Sequence, residues 1–269
     1  MFNRLFSIFE SSSARLLAIA FIVLVGFAAI FFFASSWTFA RHYPPLQVVF
    51  KEQDADMVAS SKTPIVPHIF GDSSRPISEI ELKVFYFVPK DRSPNSEALS
   101  AIEAALGSLK KFHESQFPGF SAISFSVFRE PVIGLKPSDF YEVSSGASSL
   151  SAQERAGESM KQIREELSAR QILTEGRSSQ DAFPVTVIIY EGVGAGADLS
   201  RMIVAREFLT DPKIFYGKTV FTHEFYHTLG IPDGYDKEGS FSQDIMGAGR
   251  YRPLEMTYLA EETLKAMGL

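Results

Sequence analysis

The chain has no cysteine among its 269 residues. That absence excludes disulfides, thiolate-ligated zinc, iron–sulfur clusters and a thiol nucleophile together. Any metal site must be built from nitrogen and oxygen ligands. Nor is there an excess of positive charge, since 26 Lys and Arg face 32 Asp and Glu for a formal net charge of −6. Affinity for phosphate backbones needs clustered basic residues that displace counterions, so nucleic acid is excluded as a partner. Histidine is scarce, at five residues. Long apolar runs are also missing, with one exception near the N-terminus.

That exception is Leu16 to Ala34, LLAIAFIVLVGFAAIFFFA, with no charge again until Arg41. Nineteen helical residues at about 1.5 Å each span roughly 28 Å, close to the thickness of a bilayer's hydrocarbon core. Arg4 and Arg15 precede the run, and Trp37 and Tyr43 come after it where an aromatic belt would lie. The run is longer than the 7 to 15 apolar residues usual in a signal peptide, which favours an uncleaved single-pass anchor with the body outside the cytoplasm. Ala34-Ser35-Ser36 keeps open the alternative of a cleaved signal and secretion. Residues 1–40 thus read as a cytoplasmic tail and transmembrane anchor or signal, and residues 41–79, with Pro44, Pro45, Pro64, Pro67 and Pro76, as a stalk or pro-segment. In residues 41–79 only Leu46 to Phe50 reads as a strand.

Residues 80–269 form the domain. Ile80 to Val88 reads as a strand ended by Pro89, then a helix from Pro94 to about Phe117 with Ser93 as its cap. Ala122 to Phe128 alternates as a strand should. A Ser/Gly loop, Ser144 to Ser149, then leads to a second helix opened by a Ser151/Glu154 capping box, with Ala156, Met160, Ile163 and Leu167 on one face. Pro184 to Tyr190 reads as a buried central strand and Arg201 to Leu209 as a more polar one. Between them, Gly192, Gly194 and Ala197 match a loose dinucleotide fingerprint. The residues beyond Ala197 are β-branched strand rather than a helix to receive a pyrophosphate, so this reads as a connection and no cofactor-binding loop is assigned.

The chemistry lies in Thr222 to Asp236, THEFYHTLGIPDGYD. His223 and His227 are four apart, which on a helix puts both rings on one face within reach of a single zinc ion. Glu224 lies beside them, placed to take a proton from metal-activated water. Gly230 can take the left-handed conformation that ends a helix and Pro232 forbids continuation, so the chain turns and brings Asp233 back six residues after His227. Zinc needs such a third ligand, leaving a fourth position open for catalysis. The remaining histidines, His42, His68 and His113, read as ordinary solvated residues.

This stretch resembles the zinc-binding motif of the metzincin metallopeptidases, in the subgroup with aspartate as third ligand, and is similar to the snapalysin and immune inhibitor A families. The resemblance implies a Met-turn, here Met246 in DIMGAG, thirteen residues past Asp233. It also implies an α+β zincin domain: a twisted mixed sheet with an edge strand over the cleft, an active-site helix, the Met-turn and a C-terminal helix, with Leu254 to Leu269 as that closing helix. Arg201 to Leu209 is the candidate edge strand for an extended peptide or protein substrate. Where some metzincins carry tyrosine two residues past the turn methionine, this chain has Ala248, and Tyr251 is a candidate for oxyanion assistance or for packing. Asp236 and Asp244 are candidates for turn-capping or outer contacts. A thiolate latency device is excluded, so an inhibitory stalk would use another ligand, for which Asp54, Asp56 and His68 are candidates.

The expected activity is zinc-dependent endopeptidase hydrolysis with His223, His227 and Asp233 holding the ion and Glu224 as base. Two alternatives stand beside it: a zinc hydrolase whose third ligand is a distal Glu261 or Glu262, and a non-catalytic membrane-tethered binding module that retains the metal site.

Overall fold

A computed structural model describes residues 65–142, 152–173, 182–234 and 243–269. The chain divides into two units, 1–62 and 63–269, and all of these residues belong to the second. The apolar run Leu16 to Ala34, the strand expected at Leu46 to Phe50, the loop Ser144 to Ser149 and residues His42, Asp54, Asp56, Ser151 and Asp236 lie outside them. Among the described residues no helix is long and apolar enough to cross a membrane.

The centre is one sheet in the order β4, β3, β6, β8, β7, in which β3 is Glu79–Val88, β4 Ala122–Val127, β6 Phe183–Tyr190, β7 Ala195–Asp198 and β8 Arg201–Ala205. A short β5 (Val132–Ile133) extends the pairing of β3. All of these pairings are parallel except β7 on β8. Strands buried on both faces need helices on both, and the pleat of β3 sorts them. Leu82, Val84 and Tyr86 face a core shared with helix α1 (Ala98–Gln116) through Ile102, Leu106 and Leu109. Phe85 and Phe87 face the opposite core with Tyr141, from a short α2 (Ser138–Tyr141), and Met160, Ile163 and Leu167 of α3 (Ala152–Ala169). The architecture is a mixed α/β fold with helices on both sides of a mostly parallel sheet, where the sequence suggests an α+β arrangement.

Several local expectations shift for identifiable reasons. Helix α1 begins four residues beyond Pro94 because the Asn95 side chain accepts the Glu97 N–H at 2.7 Å, holding a turn in place of the first helical turn. The strand beginning at Arg201 stops at Ala205, and Glu207–Thr210 is a short helix, α4. Arg206 terminates the strand by turning its guanidinium to Glu191, at 2.8 and 3.0 Å. The closing helix is much shorter than the segment Leu254 to Leu269 and covers only Glu261–Ala266, here α6. Before it, Tyr258 lies extended and pairs with the turn preceding Met246: Ile245 N–H donates to Tyr258 O at 2.8 Å, and Tyr258 N–H to Gln243 O at 3.2 Å.

A hairpin, β1 (His68–Ile69) with β2 (Asp72–Pro76), precedes β3. It lies within the segment expected to be stalk, yet it is tied into the compact unit. His68 N–H donates to Met267 O at 2.9 Å, and Phe70 N–H to Leu229 O at 3.0 Å. The polar, proline-ended sequence DSSRP carries no strand pattern, which is why this pairing is invisible before the fold is formed.

Candidate metal centre

Helix α5 (Gly217–His227) carries the motif and is buried along nearly its whole length. Phe221, Phe225 and Tyr226 anchor it in the main core, which leaves His223, Glu224 and His227 along the cleft side. Gly230 ends the helix with φ at +83°, in the left-handed region expected of it. The turn it makes also orients His227, because the His227 Nδ1–H donates to Ile231 O at 2.7 Å. His223 Nδ1–H donates to Ile245 O, 2.8 Å away, on the residue preceding Met246. With both Nδ1 atoms used as donors, both Nε2 atoms present lone pairs. Burial first, and then the neighbouring His223, hold His227 below its ordinary pKa, favouring the neutral ring that a metal requires.

The two Nε2 atoms stand 3.1 Å apart, and Asp233 Oδ1 lies 3.4 Å from that of His223 and 3.3 Å from that of His227. Three ligand atoms bound at about 2.0–2.1 Å around a tetrahedral zinc would be separated by roughly 3.3 Å, so the donor set fits this ion in both type and spacing. It is the His/Asp/Glu group among the described residues able to hold a metal ion. Asp233 is pinned there from behind by Gly234, whose N–H donates to Met246 O at 2.7 Å. Met246 itself is buried in the same core as Phe225 and Leu229. Asp244 closes the turn around it: its Oδ1 accepts the Met246 N–H at 3.1 Å, and its carbonyl accepts those of Gly247 and Gly249.

Glu224 is 8% exposed, and burial pushes its carboxyl up to about 7, with Asp233 adding to the rise while His223 and Arg250 oppose it. A cleft of about 200 Å³ is lined by Ala195, Gly196, His223, Glu224, His227, Asp233 and Arg250. The edge strand over this cleft is therefore β7, and Arg201–Ala205 is the strand inside it, with Met202, Ile203 and Val204 fully buried. The Gly/Ala run that loosely matches a dinucleotide fingerprint has a packing cause. A Cβ placed on Gly196 would come within 2.8 Å of the Ala156 Cβ on α3, while the other face of β7 packs toward α5.

Other candidates fall elsewhere. Glu261 is paired with Lys265 at 2.6 Å on α6, and neither it nor Glu262 joins the cluster. His68 sits in the hairpin, its Nδ1 on Ile69 O. His113, expected to be solvated, is fully buried: its Nε2 is 2.8 Å from Ser121 Oγ and its Nδ1 3.3 Å from the Tyr226 hydroxyl. Tyr251 is 52% exposed and stands beside the cleft, its hydroxyl accepting from Arg250 Nη2. Sequence reasoning passes over Arg250, Ala195 and Gly196. The available signal for Arg250 is its place four residues past the turn methionine.

No protein-family model matches the chain, and no curated protein matches it. Among solved structures it is similar to wild-type OgpA from Akkermansia muciniphila, at 14% identity and a TM-score of 0.45 over 69% of this chain and 59% of that one. It is also similar to archaemetzincin from Methanopyrus kandleri, at 12% identity and a TM-score of 0.37 over 71% of this chain and 94% of that one. A third is metalloproteinase-II from Bacteroides fragilis, at 14% identity and a TM-score of 0.38 over 71% of this chain and 52% of that one. The chain thus spans less than two thirds of the length of OgpA and of metalloproteinase-II.

Proposed function

We propose that this chain is a zinc-dependent endopeptidase of metzincin type, tethered to a membrane by Leu16 to Ala34 with its body on the extracytoplasmic side. The observation that carries the reading is the meeting of His223 Nε2, His227 Nε2 and Asp233 Oδ1 within 3.4 Å of one another, beside a buried glutamate in an open cleft. Zinc held by these three residues would supply Lewis-acid chemistry, polarising the scissile carbonyl and acidifying the attacking water. Glu224 accepts the proton that this water gives up and delivers it to the leaving amine. A carboxyl lifted by burial toward neutrality is suited to both halves of that transfer.

The substrate lies extended along β7. Gly194 O accepts the Ala205 N–H at 2.8 Å, and antiparallel alternation then directs the backbone groups of Ala195 and Ala197 away from β8, to the open edge. A peptide added there gains affinity from main-chain hydrogen bonds. The test is Glu224→Ala: bound zinc stays near one per chain while proteolysis is abolished, and a chelator removes activity that added zinc restores. A Glu224→Ala protein that cleaves as fast as the parent sinks the assignment.

A further inference from the structure

Of the described residues lining the cleft, Arg250 is the one that carries a fixed positive charge. It belongs to a short 3-10 turn, Ala248–Tyr251, directly after the Met-turn, so its backbone is set by the same segment that orients His223 through Ile245. Its side chain is held twice by the neighbouring tyrosine. The guanidinium carbon lies 4.5 Å from the Tyr251 ring centroid, and Nη2 donates to the Tyr251 hydroxyl. Tyr251 is in turn braced edge-on by Tyr216 at the start of α5, with ring centroids 5.6 Å apart. An arginine fixed by stacking has already lost the rotamer freedom that would otherwise oppose binding.

Arg250 lines the same cleft as Glu224 and the three proposed metal ligands, His223, His227 and Asp233. The cation therefore shares the cleft with the group that handles the water, where the reacting bond of a bound peptide would lie. The other ionisable side chains of the cleft are two carboxylates, Glu224 and Asp233, and two imidazoles, His223 and His227. During hydrolysis the water oxygen bonds to the carbonyl carbon and the C=O π pair moves onto the carbonyl oxygen. The proton from water passes to Glu224 and then to the amide nitrogen, the C–N bond breaks, and the carbonyl re-forms as a carboxylic acid. Negative charge develops on that oxygen, and a preorganised cationic donor there lowers the barrier.

We propose that Arg250 donates to this oxyanion, and that Tyr251 is its positioning residue rather than the donor. The inference rests on the peptidase reading and refines it. In the full-length protein loaded with zinc, Arg250→Ala lowers kcat on the order of 10²-fold with little change in KM. Zinc content and the thermal midpoint stay at parental values, and millimolar guanidinium restores part of the rate. Tyr251→Phe, which keeps the ring and deletes the hydroxyl, lowers kcat several-fold. Affinity for a phosphinic peptide, whose anionic group imitates the tetrahedral oxyanion, falls in step with kcat across these variants and is read by calorimetry without turnover. An Arg250→Ala protein within twofold of the parent overturns the proposal. So does a loss confined to KM for acidic peptides, which would make Arg250 a carboxylate subsite, and so does a loss of zinc that guanidinium cannot reverse. A parent protein without chelator-sensitive, Glu224-dependent cleavage overturns the peptidase reading itself, and the oxyanion role falls with it.

Discussion

Asp233 is the exposed member of its cluster, with 37% of its side chain accessible against 2% for His223 and 13% for His227. The two histidines are held by helix α5 and by backbone carbonyls, whereas the carboxylate reaches in from the segment after Gly230. Its contribution is therefore separable from folding. Asp233→Ala is expected to lose zinc at concentrations where the parent retains it, with an unchanged unfolding midpoint in the metal-free protein. Glu261→Ala keeps its zinc, because its carboxylate is engaged with Lys265. The opposite pattern in a zinc titration would transfer the third ligand to Glu261. The histidine pair and Glu224 are legible in the sequence because helical spacing is local, and a repeat of four places the rings by itself. Arg250 and the carbonyls of Ile231 and Ile245 are not, since only the folded turn brings them to the histidines.

At the scale of elements, the sheet's central strands are readable because burial on both faces gives near-continuous apolar runs, as in Pro184 to Tyr190. The edge strand is not. Ala195–Asp198 is too short and too rich in small residues to show a pattern, and its composition records close helices rather than strand propensity. The same difficulty hides Tyr258, whose pairing with Gln243 and Ile245 interrupts what the sequence presents as one amphipathic helix. The alternation along β7 gives a test that leaves the metal ligands untouched. Ala195→Pro removes an outward N–H while leaving the Gly194–Ala205 and Gly196–Ile203 pairings in place. With about 1 kcal/mol for one net hydrogen bond, kcat/KM on extended peptides should fall roughly tenfold or less. Zinc content should stay constant. Unchanged kcat/KM would mean that substrate does not pair with this edge.

For the molecule as a whole, the buried His113 couples stability to acidity. Burial holds its pKa at about 3, against about 6.5 in the unfolded chain. Below pH 6.5 the unfolded state takes up a proton that the native state refuses, so stability is lost as pH falls from about 6.5 to about 3 and is fully present above that window. The ceiling is about 5 kcal/mol at roughly 1.4 kcal/mol per pKa unit. Urea midpoints measured from pH 7 to pH 4 should fall more steeply for the parent than for His113→Gln, and equal slopes would remove His113 as a cause. The absence of cysteine means that none of this depends on redox state, and reducing agents should leave these midpoints unmoved. The hairpin adds a geometric property. Because the His68 N–H is bonded to Met267 O, the strand that opens the hairpin and the residue that follows α6 lie side by side. Residues 68–267 can therefore be circularly permuted with a short joining linker, or spliced as an insert into a surface loop of a host protein, without pulling helix α5 out of place.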